Sequence, residues 1–162
     1  PAVVLDRTAF YPTSGGQPAD QGTLSGLTVS DVVAREDGAI VHILEHPLPE
    51  GDGEIAGEID WPRRFDHMEQ HTGQHVLSAV FERVLDADTV GFHLGAEVST
   101  IDVNVARLDP EVATSIEDLA NQAVWDDRPV SARFVGPDEL ASLPLRRPPV
   151  VDQILGQTNS LG

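Results

Sequence analysis

The feature that most constrains this chain is a change of residue pattern near position 60. Before it, apolar runs are short, alternate with polar residues and are interrupted repeatedly by Gly and Pro; after it, Phe65 to Leu85 holds no Gly or Pro except Gly73. A period of two suits strands and a period near 3.6 suits helices, so the two halves call for different architectures. The first half reads as all-β. Val3-Val4-Leu5, Leu27 to Val33 and Ala39 to Leu44 are strand-like, and Asp37-Gly38 between the last two is a hairpin signal. Pro47, Pro49, Gly51 and Gly53 mark a loop, and Glu54 to Ile59 reads as a short closing strand. Many short strands separated by Gly-rich turns predict a small barrel or sandwich.

The second half mixes helices and strands. Asp60 is placed to cap a helix with Pro62 in its first turn. Along that helix Phe65, Met68, Thr72, Val76, Ala79, Val80 and Val84 recur at roughly helical spacing, which predicts a buried stripe. Thr89 to Leu94 and Glu97 to Val105 read as two strands, and Asp109-Pro110-Glu111 as another helix start. Val112, Ile116, Leu119, Ala120, Ala123 and Val124 give that helix an amphipathic face. Val130 to Val135 reads as a strand and Pro137 to Ser142 as a short helix. The expected class is therefore α+β, with residues 1–60 forming a barrel-like domain and 61–162 a second unit.

Composition narrows the function classes. The 162 residues carry 27 acidic and 10 basic side chains, a formal net charge of −17, and every basic residue is Arg. That argues against a broad electrostatic grip on nucleic acid. With no Cys, disulfides and thiolate metal sites are excluded within these residues. No apolar run is long enough to cross a bilayer and no leader-like segment opens the sequence, so a soluble cytoplasmic protein is expected. The sequence opens on Pro1 without an initiator Met and closes on a polar tail, and it reads as part of something longer.

Three groups of residues could carry chemistry. His67, His71 and His75 follow one another at i, i+4 spacing on the long helix. An adjacent pair can share one divalent metal, but His67 and His75 stand roughly 12 Å apart along the axis, too far for one tetrahedral ion. Solvated or core-packed histidines are the plainer reading. His71-Thr72-Gly73-Gln74-His75 lacks the Glu after the first His that a zinc protease needs as its base. The second group is Phe10-Tyr11-Pro12-Thr13-Ser14-Gly15-Gly16-Gln17, where two Gly permit close backbone approach to a ligand and Thr13, Ser14 and Gln17 supply donors and acceptors. A simple hairpin turn would also account for it. The third is the pairs Arg63-Arg64 and Arg146-Arg147, suited to phosphate or to ordinary ion pairing in an acidic chain.

Taken together, these residues resemble the editing domain of alanyl-tRNA synthetase and its free-standing relatives, the alanyl-tRNA editing proteins. The resemblance rests on Phe10 to Gln17, Asp20-Gln21-Gly22, Arg64, Met68, His71-Thr72 and His75, Gly91 to Gly95, Ser99 to Asp102, Glu117, Asn121 and Arg128-Pro129-Val130. It implies a small β-barrel followed by an α+β editing core. It implies hydrolysis of the ester of tRNA(Ala) mischarged with Ser or Gly, with a zinc whose first two ligands are His71 and His75. The family's further ligands lie in a Cys-x-x-x-His motif, which this sequence does not contain. For that reaction Gln17, Gly15 and Gly16 are expected near the aminoacyl end, Thr13 and Ser14 are the candidates for contacting the amino-acid side chain, and Arg63, Arg64, Arg146 and Arg147 are the candidates for a local patch on the tRNA acceptor end. A threonyl-tRNA synthetase editing domain, a non-catalytic homologue that binds tRNA or another protein, and a metal-dependent hydrolase of small esters or amides are the alternatives.

Overall fold

The computed structural model describes residues 1–49, 53–131 and 133–145. Five strands come first: β1 (Ala2–Val4), β2 (Gly22–Leu24), β3 (Leu27–Ala34), β4 (Ile40–Leu44) and β5 (Gly57–Ile59). They form one antiparallel sheet in the order β1-β4-β3-β2-β5. The expected barrel does not close among the described residues, because β1 and β5 stand at opposite edges with no ladder between them. Three of the five strands are only three residues long. Strands that short cannot supply the tilt and stagger a closed cylinder requires.

The Asp37-Gly38 signal is realised as the β3–β4 hairpin. Gly38 N–H donates to the Arg35 carbonyl at 3.0 Å, Arg35 N–H donates to the Ala39 carbonyl at 2.9 Å, and Gly38 takes φ +82°. This is a three-residue loop with its glycine in the left-handed region. On β3 the register shifts between Val29 and Asp31. The bulge re-aims the strand, so Val29 and Val32 point inward while Val33 is exposed. They join Phe10, Ala19, Leu24 and Leu44 in the first core.

The second half holds α1 (Trp61–Leu85), β6 (Thr89–Leu94), β7 (Ser99–Val103), α2 (Pro110–Trp125) and α3 (Pro137–Ser142). Asp60 and Asp109 accept N–H bonds from Arg63 and Glu111 respectively, capping α1 and α2 as expected. β6 and β7 pair antiparallel as an isolated two-stranded sheet. Val80, Phe81, Ala87 and Ile116 form a second core, joined by partly buried Leu77, Val103, Val112 and Leu119. At 130–135 no strand forms among the described residues, and Val130 and Phe134 are exposed.

The stripe expected on α1 is only partly the one the fold buries. Of the expected stripe Val80 is buried and Thr72 and Val76 are half-buried, but Phe65, Met68, Ala79 and Val84 are exposed, whereas His67, Ser78 and Phe81, outside it, are buried. The reason lies in what faces the helix. Its first half packs against a polar turn rather than an apolar strand, so Arg64, His67 and His71 occupy the inward positions. Ser78 receives hydrogen bonds from Gln74 Nε2 at 2.6 Å and Thr89 Oγ1 at 2.7 Å, tying the middle of α1 to β6.

Pairing of β2 with β5 sets Gly22 opposite Ile59. The segment entering β2 and the helix leaving β5 therefore depart from the same corner of the sheet, joined by Asp60 N–H donating to the Gln21 carbonyl at 2.8 Å. This is what lays residues 11–20 along α1.

Candidate active site

Ser14 and Gln17 exchange backbone hydrogen bonds at 3.1 and 2.9 Å. The two residues between them, Gly15 and Gly16, have φ of +57° and +79°. Positive φ at both central positions defines a two-residue type I′ turn, which costs little only for residues such as Gly or Asn. Gly16 is further constrained: a Cβ there would meet the Phe92 ring at 2.7 Å. Its carbonyl accepts from Leu94 N–H at 3.4 Å, so the turn rests on β6. The amide N–H groups of Gly15 and Gly16 have no partner among the described residues.

Against this turn α1 presents His71. Gln17, itself buried, places Oε1 3.1 Å from His71 Nδ1. A carboxamide oxygen only accepts, so His71 carries a proton on Nδ1, and in the neutral ring the lone pair then lies on Nε2. The His71 ring stacks on His75 with centroids 4.9 Å apart and lies 5.9 Å from Phe92. Thus Gly15, Gly16, Gln17, His71 and His75 converge, with Phe92 as a wall that motif reading had singled out only as part of a wider segment.

The other expected residues fall as follows. Thr13 Oγ1 accepts from Ala19 N–H at 3.0 Å, bracing the loop, while Ser14 receives the Tyr11 hydroxyl at its carbonyl at 3.2 Å. Arg63 donates to the Ala19 carbonyl at 2.7 Å. Arg64 forks onto Asp20, through Nε at 2.7 Å and through a second, shorter bond, and also donates to the Ala9 carbonyl at 2.9 Å. Its guanidinium lies 5.7 Å from the centre of the Tyr11 ring. The Asp20 carboxylate, through this hydrogen bond and its charge, raises the Arg64 pKa. Arg64 therefore binds the loop to the helix instead of standing open to solvent, while half-buried Arg63 commits only Nη1 to the same loop. Arg146 and Arg147 lie outside the described residues.

Two buried histidines do not contact the turn through any hydrogen bond. His67 is 6% exposed and its Nδ1 has no hydrogen-bond partner among the described residues; burial, followed by the charge of Arg63, lowers its pKa. His42, fully buried on β4, sits 2.8 Å from Thr8 Oγ1 and 3.3 Å from the Val3 carbonyl, and burial lowers its pKa too. The carbonyl fixes its proton on Nδ1, so Thr8 donates to Nε2.

As metal donors, the described residues bring together two imidazoles. His71 and His75 are one turn apart, and the engagement of His71 Nδ1 by Gln17 is the outer-sphere arrangement that leaves Nε2 for an ion. A zinc centre needs at least three protein ligands, and no group of three His, Cys, Asp or Glu side chains is gathered among the described residues.

With this geometry in view, comparison with known proteins first gives the class. Residues 1–63 match the family of class II (A) tRNA synthetases. The relatives give the branch. The chain is 36% identical to mouse alanyl-tRNA editing protein Aarsd1 over 155 residues, 96% of this chain and 35% of that protein. It is 37% identical to the alanyl-tRNA editing protein AlaX-L of Pyrococcus horikoshii over 134 residues, 79% of this chain and 33% of the relative. It is 44% identical to the alanine–tRNA ligase of Pyrobaculum neutrophilum over 144 residues, 85% of this chain and 16% of the ligase. Over most of its length the chain is similar to alanyl-tRNA editing proteins, and it spans about a third of the length of those relatives.

Proposed function

We propose that this chain carries the editing site that hydrolyses the ester of tRNA(Ala) mischarged with serine or glycine. The observation that carries the reading is the convergence of the Ser14–Gln17 turn with His71 and His75, in a chain similar to alanyl-tRNA editing proteins over nearly all its length. Ester hydrolysis proceeds through a tetrahedral oxyanion that fixed N–H donors stabilise. The amides of Gly15 and Gly16, without a partner among the described residues, are such donors, held still by the type I′ geometry and by the seat on β6. Gln17 holds His71 in one tautomer, so its Nε2 can accept a proton or ligate an ion. Ser14, whose hydroxyl makes no hydrogen bond among the described residues, is the candidate for the serine side chain of the substrate, with Thr13 beside it. A pocket that hydrogen-bonds that hydroxyl discriminates against alanine, because alanine leaves the polar group unpaired.

In this reading His71 and His75 would hold a zinc together with further ligands outside the described residues, and the ion would supply polarisation of water or ester, or orientation of the amino group. The acidic balance limits the tRNA contact to the acceptor end, where a few arginines suffice. Arg63 is the described candidate, alongside Arg146 and Arg147.

Deacylation of Ser-tRNA(Ala) by the wild-type chain, by His71→Ala and by Gln17→Ala tests the assignment. The His71 variant is expected to fall to the uncatalysed rate; undiminished activity in it overturns the role of His71. A non-catalytic tRNA-binding homologue is the second reading, favoured by the two-imidazole donor set, and tRNA binding without turnover in the wild type would select it.

A further inference from the structure

We propose that the Asp20–Arg64 pair is a positioning device that sets the Ser14–Gln17 turn against α1 and so holds Gln17 on His71. The proposal deepens the editing reading, on which only its kinetic readout rests.

The geometry is that of a loop tied at its neck. Tyr11 and Asp20 close the segment between them, with Asp20 N–H donating to the Tyr11 carbonyl at 2.9 Å and Tyr11 N–H donating to Asp20 Oδ2 at 2.6 Å. The Asp20 carboxylate is only 1% exposed, and Arg64 is its ion-pair partner. Arg64 bonds both arms of the neck, Ala9 on one side and Asp20 on the other, and Arg63 adds Ala19. From Arg64 to His71 is two helical turns, roughly 10 Å. Over that span the tip of the same loop reaches the helix again, where Gln17 meets His71 and Gly15 lies against its Cε1. A rigid helix pinned to the loop at the neck leaves the tip one register in which Gln17 Oε1 faces Nδ1. A bidentate fork fixes both distance and angle, which a point charge cannot.

The test compares wild type, Arg64→Lys, Arg64→Ala and the double variant Asp20→Asn with Arg64→Gln. Each is first shown to be folded by urea unfolding at low temperature. The structural readout is the ¹⁵N spectrum of the histidine rings in metal-free protein. Wild-type His71 is expected as a single Nδ1–H tautomer, and Arg64→Lys and Arg64→Ala as tautomer mixtures. Methylguanidinium added to Arg64→Ala is expected to restore the wild-type ring signals. The double variant, with a neutral hydrogen bond in place of the ion pair, restores them in part and keeps the question open to measurement should Arg64→Ala not fold. In the kinetic readout, kcat for Ser-tRNA(Ala) is expected to fall about 10- to 100-fold in Arg64→Lys, the scale of a misplaced catalytic group, with KM and its salt dependence unchanged.

Folded Arg64 variants that keep the wild-type His71 tautomer and kcat overturn the proposal. So does a loss confined to KM with a shallower salt slope, which would make Arg64 a phosphate contact. If wild type proves inactive on mischarged tRNA while the ring signals still follow Arg64, the editing reading fails and the positioning role stands.

Discussion

In the N-terminal sheet Leu24, Val29, Val32 and His42 are at most 1% exposed, whereas the α1–α2 half leaves Val124, Trp125, Val130 and Phe134 between 63 and 86% exposed. The five-stranded sheet buries one face, and the 9–20 segment packs on it: Phe10 and Ala19 belong to the first core. A two-stranded hairpin has no comparable face. Two helices laid on it bury Val80, Phe81 and Ile116 but leave an apolar groove of about 460 Å³ between α1, β7 and α2, lined by Val76, Leu77, Ile101 and Val124 among others. The candidate site belongs to neither core. Gln17, His71 and His75 line neither that groove nor the cavity beside Phe10 and Trp61, but stand at the seam where the loop of one half meets the helix of the other.

The sharpest way to break this contrast is by cavity creation. Phe10→Ala is expected to cost about 3–5 kcal/mol and Ile116→Ala about 2–3, because a site beside an open groove loses less on truncation than an enclosed one. Urea unfolding of the two variants reads the difference; equal losses would mean the second core is as closed as the first. Next in size is a pH effect confined to the N-terminal sheet. Burial holds the folded-state pKa of His42 below its usual 6.5, so the unfolded chain takes up the proton first as pH falls. The stability this residue contributes is full above pH 6.5 and is lost as the pH drops through the folded value. Urea midpoints at pH 7.5 and 5.5 should fall more steeply in wild type than in His42→Gln. Parallel slopes would show that the neutral Thr8–His42–Val3 chain carries no such linkage. The smallest effect is expected at Trp125, 74% exposed: Trp125→Ser should change stability by no more than about 0.5 kcal/mol. A loss of the size seen at Ile116 would place Trp125 inside the second core and undo the contrast.

Much of the local structure was legible because it depends on neighbours in sequence. Asp60 and Asp109 announce helix starts, Asp37-Gly38 announces a hairpin, and Gly15-Gly16 announces a tight turn; each involves groups within a few residues. The α1 stripe is realised only in part, at Val80 and less fully at Thr72 and Val76, for the opposite reason. Which face of a helix is inward depends on what is laid against it, and here that is a polar loop from fifty residues upstream, which is why His67 is buried and Phe65 and Met68 are not. The strand expected at Val130 to Val135 has the right composition but no ladder among the described residues, and composition cannot supply a partner edge. Closure of the sheet into a barrel failed similarly, since strand count and length bear on closure but alternation alone does not reveal them.

By itself the sequence determined which residue types could act: a Gly-Gly-Gln turn, two imidazoles one helical turn apart, arginines in an acidic chain and no thiol. It could not assign them to one another, because a hydrogen bond between residues 17 and 71 has no signature in local periodicity. The tertiary structure decided that Gln17 fixes His71 rather than standing free, and that Arg64 closes on Asp20. The physical reason is the β2–β5 pairing, which sends the loop and the helix from one corner of the sheet and makes every later contact between them a matter of register.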